Sequence, residues 1–402
     1  MVSYKRTEQI WIQPTPQLRR LCHITKNLYN EANFLIRQEL FNERKWLRYT
    51  HYYHKVKHSA NYKLLPAQTA QQILQQLDRN WKAFFHTMKI WNEHPEKFRG
   101  RPRPPKYKRK EGEHLLIFTN QQVKLDDQWL HFPKKVSLQL KTRLGNSTNI
   151  REVRIVPKGV GYVMEIVYDK ELTPLNLDKN RAVGLDLGLT NLVTVVNNID
   201  LNPIVIKGGM VKSINQYYNK EHARLISIYD RQERKGKKLI RLTNKRNRML
   251  HDRFHKLSRK IADYCITNNI GSLVIGYNNG WKQHLNLGKQ INQHFMTIPY
   301  YLLIHIIHYK AEELGIQVIK VSENYTSKCS FLDNEPITKH YSYQGKRITR
   351  SWFQTRGGRL IHTDVNGAYN IMRKAFPKAF AANGIEAVGL QPTRWRLATA
   401  TG

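Results

Sequence analysis

The chain has 402 residues, with 67 Lys and Arg against 30 Asp and Glu and a formal net charge of +37. This length allows two or three domains with a sizeable core, and a content of 40% hydrophobic and 10% aromatic residues excludes a disordered basic tail. Such a charge excess destabilises a compact fold unless a polyanion neutralises it, which makes nucleic acid the first partner to expect. A merely solvated basic surface is the alternative.

The cysteines and the hydropathy pattern restrict the class of protein further. Cys22, Cys265 and Cys329 are far apart in the sequence, so neither a disulfide framework nor a zinc site is expected. The first residues lack the apolar core of a signal peptide, and no apolar run approaches the roughly 18 residues of a membrane span. These features predict a cytoplasmic protein that acts on the nucleoid or on RNA.

The first half of the chain predicts a strand, two long helices and a β-rich segment. Residues 4–12 alternate like a strand, and apolar residues recur at helical spacing from Leu18 to Leu40 and from Ala70 to Phe84. Strand-like stretches then fill residues 113–172, which predicts a small antiparallel sheet or barrel. On the second helix, Trp81 and its aromatic neighbours either stack bases or pack in the core, and their helical spacing favours the core.

A composition break separates these helices from the β-rich segment. It reads PEKFRGRPRPPKYKRKEG, residues 95–112, and its prolines and charges forbid a helix and burial. The stretch is predicted to be either a solvated linker or a segment that contacts phosphates.

The second half of the chain predicts an α/β domain with parallel strands. RAVGLDLGLTNLVTVVNN indicates two strands joined by a tight turn, and a long basic helical stretch covers roughly residues 213–269. A buried strand, SLVIG, then a helix and the strand IQVIKVS follow, an alternation typical of parallel pairing. The closing DVNGAYNIMRKAF predicts a helix opened by Asp364, whereas residues after about 380 show no periodicity.

Two acids in this half are candidates for chemistry. Asp186 lies in the apolar strand AVGLDLG, where a buried charge needs a partner or a metal, although a solvent-facing position on the strand is the alternative. Asp364 precedes a helix, and a helix N-cap is the alternative role for it. Each signal is weak alone.

Taken together, the motifs GLDLG and HTDVNGAYNIMRKAF, the long basic connection and the buried strand resemble the RuvC-type, RNase H-like nuclease core of the TnpB family. These transposon-encoded proteins are relatives of type V CRISPR effectors. LPAQTAQQILQQLDRNWKAFF resembles the recognition helix of the family, and the likeness extends from about residue 5 to residue 380. YTSKCSFLD followed by DVNGAYNI is its most specific part.

The resemblance implies an α+β multidomain fold with a helical recognition lobe, a β-barrel-like wedge domain and a RuvC-like α/β nuclease domain. The implied domains are a wedge domain from residues 1–14 and 111–175, a helical recognition domain with a basic linker at 15–110, a nuclease domain at 176–380 with a hairpin insert near 326–360, and a flexible tail at 381–402.

The resemblance also implies a function, an RNA-guided DNA endonuclease encoded by a transposon that cuts next to a short transposon-adjacent motif. Its partners would be a guide RNA from the transposon end and double-stranded target DNA, bound by a monomeric protein in a ribonucleoprotein. Carboxylates of such cores hold two divalent metal ions, Mg²⁺ or Mn²⁺, about 4 Å apart. Gln68, Gln71 and Gln72 begin the second helix and are candidates for reading the DNA motif, with capping or plain surface exposure as alternatives.

The chain departs from the family pattern at the second acid. Where the family places a glutamate, at the end of the strand LVIG, this chain has Gly276. Glu323 follows the next strand, and one intervening helix predicts that the two strands are parallel neighbours with ends roughly 5 Å apart. The expected metal ligands and catalytic residues are therefore Asp186, Glu323 and Asp364. The alternative is a nuclease-dead, RNA-guided DNA-binding protein that represses transcription, with Gly276 marking the lost acid.

A second departure concerns zinc. Many relatives carry two Cys-x-x-Cys pairs between the second and third acidic motifs, whereas this stretch contains Cys329 alone. No zinc is expected, and His340 and His362 are expected to be exposed hairpin histidines. The segment is predicted to form a hairpin through YQGKR that is held without metal.

Overall fold

A computed structural model describes residues 2–231, 236–278, 288–380 and 389–395. The chain separates into two compact units, Ser3–Glu171 and, together with the first two residues, Leu172–Gly402. The predicted α+β multidomain class is confirmed by this mixture of helices and several sheets. The finer division into wedge, recognition, nuclease and tail segments stays a prediction. None of the helices in the described ranges is long and apolar enough to cross a membrane.

The first unit contains helices and two small sheets. Its elements are β1 (Val2–Ile12), α1 (Pro16–Asn42), α2 (Tyr49–Val56), α3 (Ala60–Lys63), α4 (Ala67–Glu93), β2 (Leu116–Thr119), β3 (Lys124–Asp126), β4 (Trp129–His131), β5 (Gln139–Lys141), β6 (Asn149–Pro157) and β7 (Tyr162–Leu172). The strands form a four-stranded sheet in the order β1-β7-β6-β2 and a three-stranded sheet in the order β3-β4-β5.

Helices α1 and α4 agree with the apolar periodicity that predicted them. Helix α1 begins after Thr15, whose hydroxyl accepts a hydrogen bond from the Leu18 amide at 3.2 Å, with Pro16 in the first turn. Helix α4 buries Trp81 completely, and the indole of this residue donates to Asn33 Oδ1 on α1 at 3.0 Å. The buried indole therefore packs the two helices together and finds a polar partner, as a core tryptophan requires.

The second unit is built around a six-stranded sheet. Its elements are β8 (Asp178–Asp186), β9 (Asn191–Asn197), β10 (Ile204–Lys207), α5 (Gly209–Arg231), α6 (Lys237–Thr267), β11 (Ile270–Gly276), α7 (Lys289–Thr297), α8 (Tyr300–Glu313), β12 (Gln317–Val321), β13 (Lys346–Arg347), β14 (Trp352–Gln354), β15 (Leu360–His362), α9 (Thr363–Ala375) and β16 (Thr393–Trp395). The sheet order is β12-β11-β8-β9-β10-β16, and β13, β14 and β15 form a separate sheet.

The strand pairing confirms the predicted parallel core. Strand β11 pairs in parallel with β8 on one side and with β12 on the other, while β9 runs antiparallel to β8. Every residue of β9 and β11 is buried, as expected for strands inside an α/β layer. Helix α9 packs closely on β8, because a Cβ atom at Gly184 would lie 2.8 Å from the Ala368 carbonyl oxygen. This close packing brings the start of α9 to the end of β8.

Four local expectations differ from the structure. Helix α9 begins at Thr363 with His362 as its N-cap, so Asp364 lies in the first turn and does not cap the helix. His362 is therefore a capping residue and not an exposed hairpin histidine. The insert does form the antiparallel pair β13–β14, but its turn follows Arg347 and does not lie within YQGKR. Most of the expected flexible tail lies outside the described residues, yet Thr393–Trp395 within it pair in parallel with β10.

Candidate active site

The carboxyl ends of three neighbouring strands meet at one edge of the six-stranded sheet. Asp186 is the last residue of β8, Gly276 is the last residue of β11, and Glu323 lies two residues beyond β12. In the register, Gly276 is opposite Val321 and Ile275 is opposite Leu185. The prediction that β11 and β12 are parallel neighbours is confirmed, and it explains how an acid after β12 reaches the end of β11.

The Glu323 side chain fills the space above Gly276. A Cβ atom at Gly276 would lie 2.6 Å from Glu323 Oε1, 2.7 Å from Glu323 Cγ and 2.5 Å from Ile371 Cδ1. Real Cβ atoms do not approach other heavy atoms so closely, so any larger residue at this position forces the glutamate or Ile371 to move. The Glu323 carboxylate thus occupies the space that a side chain at position 276 would fill.

The turn that carries Glu323 is held from both sides. Its amide donates to Asn278 Oδ1 at 3.0 Å, and its carbonyl oxygen accepts from the Thr326 hydroxyl at 2.8 Å. Lys374, on α9, donates to the carbonyl oxygens of Ser322 and Asn324, each at 2.8 Å. One ammonium group therefore binds the backbone immediately before and after the glutamate.

Asp364 is oriented by a neighbour on β9 and by the residue that precedes its helix. Asn191 Nδ2 donates to Asp364 Oδ2 at 2.7 Å, while the Asp364 amide donates to His362 Nδ1 at 3.2 Å. A Cβ atom at Gly367, one turn along α9, would lie 3.1 Å from Asp186 Oδ2. The glycine therefore lets the first turn of α9 approach the Asp186 carboxylate.

Two carboxylates of the site, those of Asp186 and Glu323, have raised pKa values, because they are buried close to one another with few positive groups nearby. Burial raises the pKa of Asp186 well above its usual range, and the neighbouring Glu323 and Asp364 carboxylates raise it further. Burial likewise raises the pKa of Glu323 to about 7, with Lys374 acting in the opposite direction. The pKa of the Tyr300 hydroxyl is also raised, by burial and then by Asp186 and Glu323. Among the described residues, neither Asp186 nor Glu323 makes an ion pair, and Lys374 only partly offsets the burial of Glu323.

The donor set fits a hard divalent cation. Glu323 Oε1 and Asn191 Oδ1 are both buried without a hydrogen-bond partner, and carboxylate and amide oxygens are the ligands that Mg²⁺ and Mn²⁺ prefer. As the side chains stand, however, the described part of the chain contains no group of three His, Cys, Asp or Glu residues that could hold a metal ion. The assignment of Asp186, Glu323 and Asp364 as joint ligands stays a proposal.

A cavity of about 180 Å³ lies beside Asp364 and is lined by cations. Lys207, Arg347 and Arg350 contribute to its wall, and the Arg350 guanidinium donates to Thr190 Oγ1 at 2.7 Å. The cations approach from β10 and from the insert, on the side of Asp364 where Asn191 also lies. Positive groups next to a cluster of carboxylates suit a phosphate that is held close to those acids.

The insert is organised by a buried carboxylate and by α9. Glu335 is 1% exposed and accepts from the amides of Ser330 at 2.7 Å and Gln344 at 3.0 Å. Asn366 Nδ2 donates to the Cys329 carbonyl oxygen at 2.9 Å, and Asn370 Nδ2 donates to the same oxygen at 2.8 Å. The hydrogen bonds to Cys329 fix the first loop of the insert to the helix that carries Asp364.

The three glutamines predicted to read DNA lie on the first two turns of α4, and all three are half-buried. The Gln68 amide is already used within the protein, since it donates to Gln121 Oε1 at 2.9 Å and accepts from the Thr119 hydroxyl. Gln71 hydrogen-bonds to Tyr62. Gln72 is the member of the set whose side chain has no hydrogen bond to other described residues.

Sequence reasoning missed the residues that orient the acids. His362 and Lys374 lie within the motif HTDVNGAYNIMRKAF, and Asn191 follows the turn after GLDLG. The motif gave none of these three polar residues a role, and only their contacts reveal one.

Comparison with known proteins agrees with this architecture. The family model OrfB_IS605, described as a probable transposase, matches residues 165–282, and a model described as Cas12f1-like, TNB domain, matches residues 300–371. A TnpB-like protein, ORF457, from Acidianus two-tailed virus is 26% identical over 93% of this chain and 87% of its own length. The CRISPR-associated endodeoxyribonuclease Cas12f1 of Sulfoacidibacillus thermotolerans is 28% identical over 52% of this chain and 49% of its own length.

Among solved structures, a Cas12f1–sgRNA–target DNA complex contains a chain with a TM-score of 0.55 and 16% identity. The match covers 88% of this chain and 81% of that one, which extends the similarity in fold to both units. The class is therefore that of multidomain α+β proteins with an RNase H-like sheet. Within this class, the chain is similar to TnpB-like proteins and to Cas12f1, which confirms the resemblance to the TnpB family stated from the sequence.

Proposed function

We propose that this protein is an RNA-guided DNA endonuclease that cleaves target DNA next to a short transposon-adjacent motif, with Asp186, Glu323 and Asp364 as its catalytic and metal-binding residues. The observation that carries the proposal is the Glu323 carboxylate, which lies in the space above Gly276 and contributes to the raised pKa of Asp186. A glutamate that had merely survived in a surface loop would have no reason to be buried there.

Each acid has a distinct task in this proposal. Asp186 and Glu323 hold a cation from the ends of β8 and β12, on either side of β11, while Asp364 faces it from α9 and is kept in orientation by Asn191. Mg²⁺ or Mn²⁺, when bound, supplies Lewis-acid stabilisation of the charge that develops on the phosphate. Lys207, Arg347 and Arg350 bind the phosphate of the DNA strand beside Asp364. The guide RNA reads the target by base pairing, and the basic surface binds backbones.

Replacement of Glu323 by Gln tests the assignment of this acid. Glu323→Gln keeps the size of the side chain but removes its charge, so cleavage of a guided, motif-bearing DNA should fall by roughly 100-fold or more, since even outer partners of metal ligands are worth 10- to 100-fold. Binding of the same DNA should persist. Glu312→Gln is a matched control, because Glu312 is exposed and pairs with His308 on α8.

Two outcomes would change the proposal. Normal cleavage by Glu323→Gln would show that the acid was not relocated. Guided DNA binding by the wild-type protein without cleavage, in Mg²⁺ and in Mn²⁺, would favour the nuclease-dead repressor, the function that Gly276 by itself suggests.

Reading of the adjacent DNA motif is assigned to Gln68, Gln71 and Gln72. Glutamine matches adenine edges in the major groove, each bidentate contact being worth about 1–3 kcal/mol of discrimination. The internal hydrogen bonds of Gln68 leave Gln72 as the freest of the three. Alanine at all three positions should flatten the preference among motif variants, and an unchanged preference would contradict the assignment.

A further inference from the structure

The segment Lys97–Lys110 concentrates positive charge more than any other feature of the first unit. Eight of its fourteen residues are Lys or Arg, and none is Asp or Glu. The cationic residues are Lys97, Arg99, Arg101, Arg103, Lys106, Lys108, Arg109 and Lys110. We call this segment the basic strap. The sequence left it open between a solvated linker and a segment that contacts phosphates.

The backbone of the basic strap is fixed against α1. Asn33 and Arg37 donate to the Pro105 carbonyl oxygen at 3.1 and 2.8 Å. Asn30 bonds both the amide and the carbonyl oxygen of Lys108, at 2.8 and 2.9 Å, and Lys26 Nζ donates to the carbonyl oxygen of Lys110 at 2.6 Å. A loose linker does not receive side-chain hydrogen bonds at every second or third residue, so the second part of the strap, from Pro105 to Lys110, is a built surface.

The charges of the strap are not neutralised within the protein. In the described part of the chain, none of its eight cationic side chains makes an ion pair or a hydrogen bond. Two of them lie over aromatic rings instead, with Lys108 Nζ 4.8 Å from the centre of the Tyr29 ring and Arg101 Cζ 5.7 Å from that of Trp91. A fixed row of like charges repels itself, and a polyanion relieves that repulsion by releasing its counterions.

An aromatic cleft opens beside the strap. It has a volume of about 500 Å³, and Tyr29, Phe84 and Tyr107 supply aromatic surface to it. Tyr107 is 47% exposed, and the Arg37 guanidinium lies 5.0 Å from its ring centre, which holds the ring in place. Asn80 and Thr87 add an amide and a hydroxyl to the lining. Aromatic faces with a few polar groups are what an unpaired nucleobase requires.

We propose that the basic strap and this cleft form a binding site for single-stranded nucleic acid. The cations of the strap bind consecutive phosphates, and one unpaired base stacks on Tyr107 inside the cleft. The ligand chemistry is shared by an RNA strand and by an unpaired DNA strand. The site lies wholly within the first unit and is independent of the three acids, so it extends the proposed function without depending on cleavage.

The phosphate part of the site is tested with the full chain and labelled single strands of roughly ten nucleotides, the length that such sites cover. Arg101, Arg103 and Lys106 are replaced together by Ala, and the control replaces Lys45, Lys124 and Lys134, three exposed lysines of the same unit. The strap variant should bind at least about 10-fold more weakly, with a slope of log K against log salt shallower by about 2, since each single-strand phosphate contact contributes about 0.7. Equal effects of the two triple variants would overturn the proposal.

The base part is tested at Tyr107. Tyr107→Leu should weaken binding of the single strand by about 5- to 100-fold, the range measured for single stacked bases, whereas Tyr107→Phe should bind like the wild type. Binding of a blunt duplex should not change with either variant. If the Leu and Phe variants are indistinguishable, or if duplex binds as well as single strands do, no base occupies the cleft and the proposal fails.

Oligouridylate and oligothymidylate serve as separate probes in these titrations. Preference for RNA assigns the site to the guide, and preference for DNA assigns it to an unpaired target strand. The same titrations with Glu323→Gln should give wild-type affinities. Loss of cleavage and loss of strand binding are therefore separate results, and a failure of the proposed nuclease activity would leave this test intact.

Discussion

The basic strap and the acid site are both collections of like charges without internal partners, but they differ in burial. The strap has eight cations, most of them exposed, and its backbone is fixed by neighbouring side chains. The acid site has three carboxylates at strand and helix ends, and burial raises the pKa of two of them, Asp186 and Glu323. Exposure keeps the strap charged at little cost, because water and salt screen it.

This difference teaches what each region needs from a ligand. Exposed cations remain solvated when no ligand is bound, so their charge costs little free energy. The expected partner is a large, extended polyanion whose binding is sensitive to salt. Buried carboxylates pay a desolvation cost until a compact cation meets them, so the expected partner is small, multivalent and held by specific oxygens. The two proposals therefore assign one surface of the chain to phosphates and one pocket to a metal ion.

The largest effect is expected from salt on the exposed charges. Guide RNA binding should weaken by about 10³-fold or more between roughly 50 and 200 mM salt, because the RNA releases many counterions on binding. Titrations at several salt concentrations measure this, and the unfolding temperature of the free protein serves as a control for salt effects on the fold. A nearly flat plot of log K against log salt would show that the exposed cations do not bind the phosphates of the guide RNA.

The next largest effect is expected from filling the space at Gly276. Gly276→Glu should lower cleavage by roughly 100-fold, an effect of the size seen when groups around metal ligands are disturbed, because the new side chain meets Glu323 and Ile371. The double change of Gly276→Glu with Glu323→Gln should recover part of the lost activity by returning the acid to β11. Single-turnover cleavage at saturating guide measures both.

Gly276→Ala serves as the matched smaller change. It adds only the Cβ atom that would lie 2.6 Å from Glu323 Oε1, so it should also reduce cleavage but leave guided DNA binding unaltered. Full activity of Gly276→Ala and of Gly276→Glu would mean that Glu323 is not needed where the structure places it.

A smaller effect is expected from Lys374, which binds the backbone on both sides of Glu323. Lys374→Met removes both hydrogen bonds, so the Mn²⁺ concentration that gives half-maximal cleavage should rise by roughly 10-fold, as for other groups that support metal ligands. Lys374→Arg should retain most of the wild-type response, and Lys378→Met, an exposed lysine after α9, is the control. Unchanged metal dependence in Lys374→Met would show that the turn carrying Glu323 keeps its position without Lys374.

The smallest effect concerns His114, a buried base of the first unit. Burial lowers the pKa of this base, whereas it raises the pKa of the buried carboxylates. Burial lowers the pKa of His114 to about 3, with Lys108 contributing. Below about pH 6.5 the unfolded chain protonates this histidine, whereas the folded chain keeps it neutral down to about pH 3. The contribution of neutral His114 to the free energy of unfolding is therefore complete above about pH 6.5 and is lost as the pH falls toward 3.

The slope attributable to His114 should approach about 1.4 kcal/mol per pH unit within that window. His114→Gln should abolish this part of the pH dependence, as measured by the difference in free energy of unfolding between the variant and the wild type at several pH values. If that difference is constant between about pH 4 and 7, His114 does not titrate as its burial requires.

The sequence by itself determined the partner class, the principal elements and the acids worth examining. A net charge of +37 favours a polyanion as partner over a merely solvated basic surface, and apolar periodicity places α1, α4, β8, β9 and β11 without any knowledge of contacts. The parallel pairing of β11 and β12 was predicted from one intervening helix, since crossovers have a fixed hand. The structure places two helices there, α7 and α8, and the strands are parallel neighbours nonetheless. Local patterns suffice where backbone propensity and burial agree.

Tertiary structure alone decided how the acids are held. The Glu323 carboxylate lies over Gly276 because strand register places their chain positions side by side, and Asn191 orients Asp364 across 173 residues of sequence. His362 replaced Asp364 as the helix cap, and a proline-rich stretch that forbids helix became a fixed strap because α1 supplies hydrogen bonds to its backbone. Such pairings depend on distances between side chains that are far apart in sequence, which composition and periodicity do not encode.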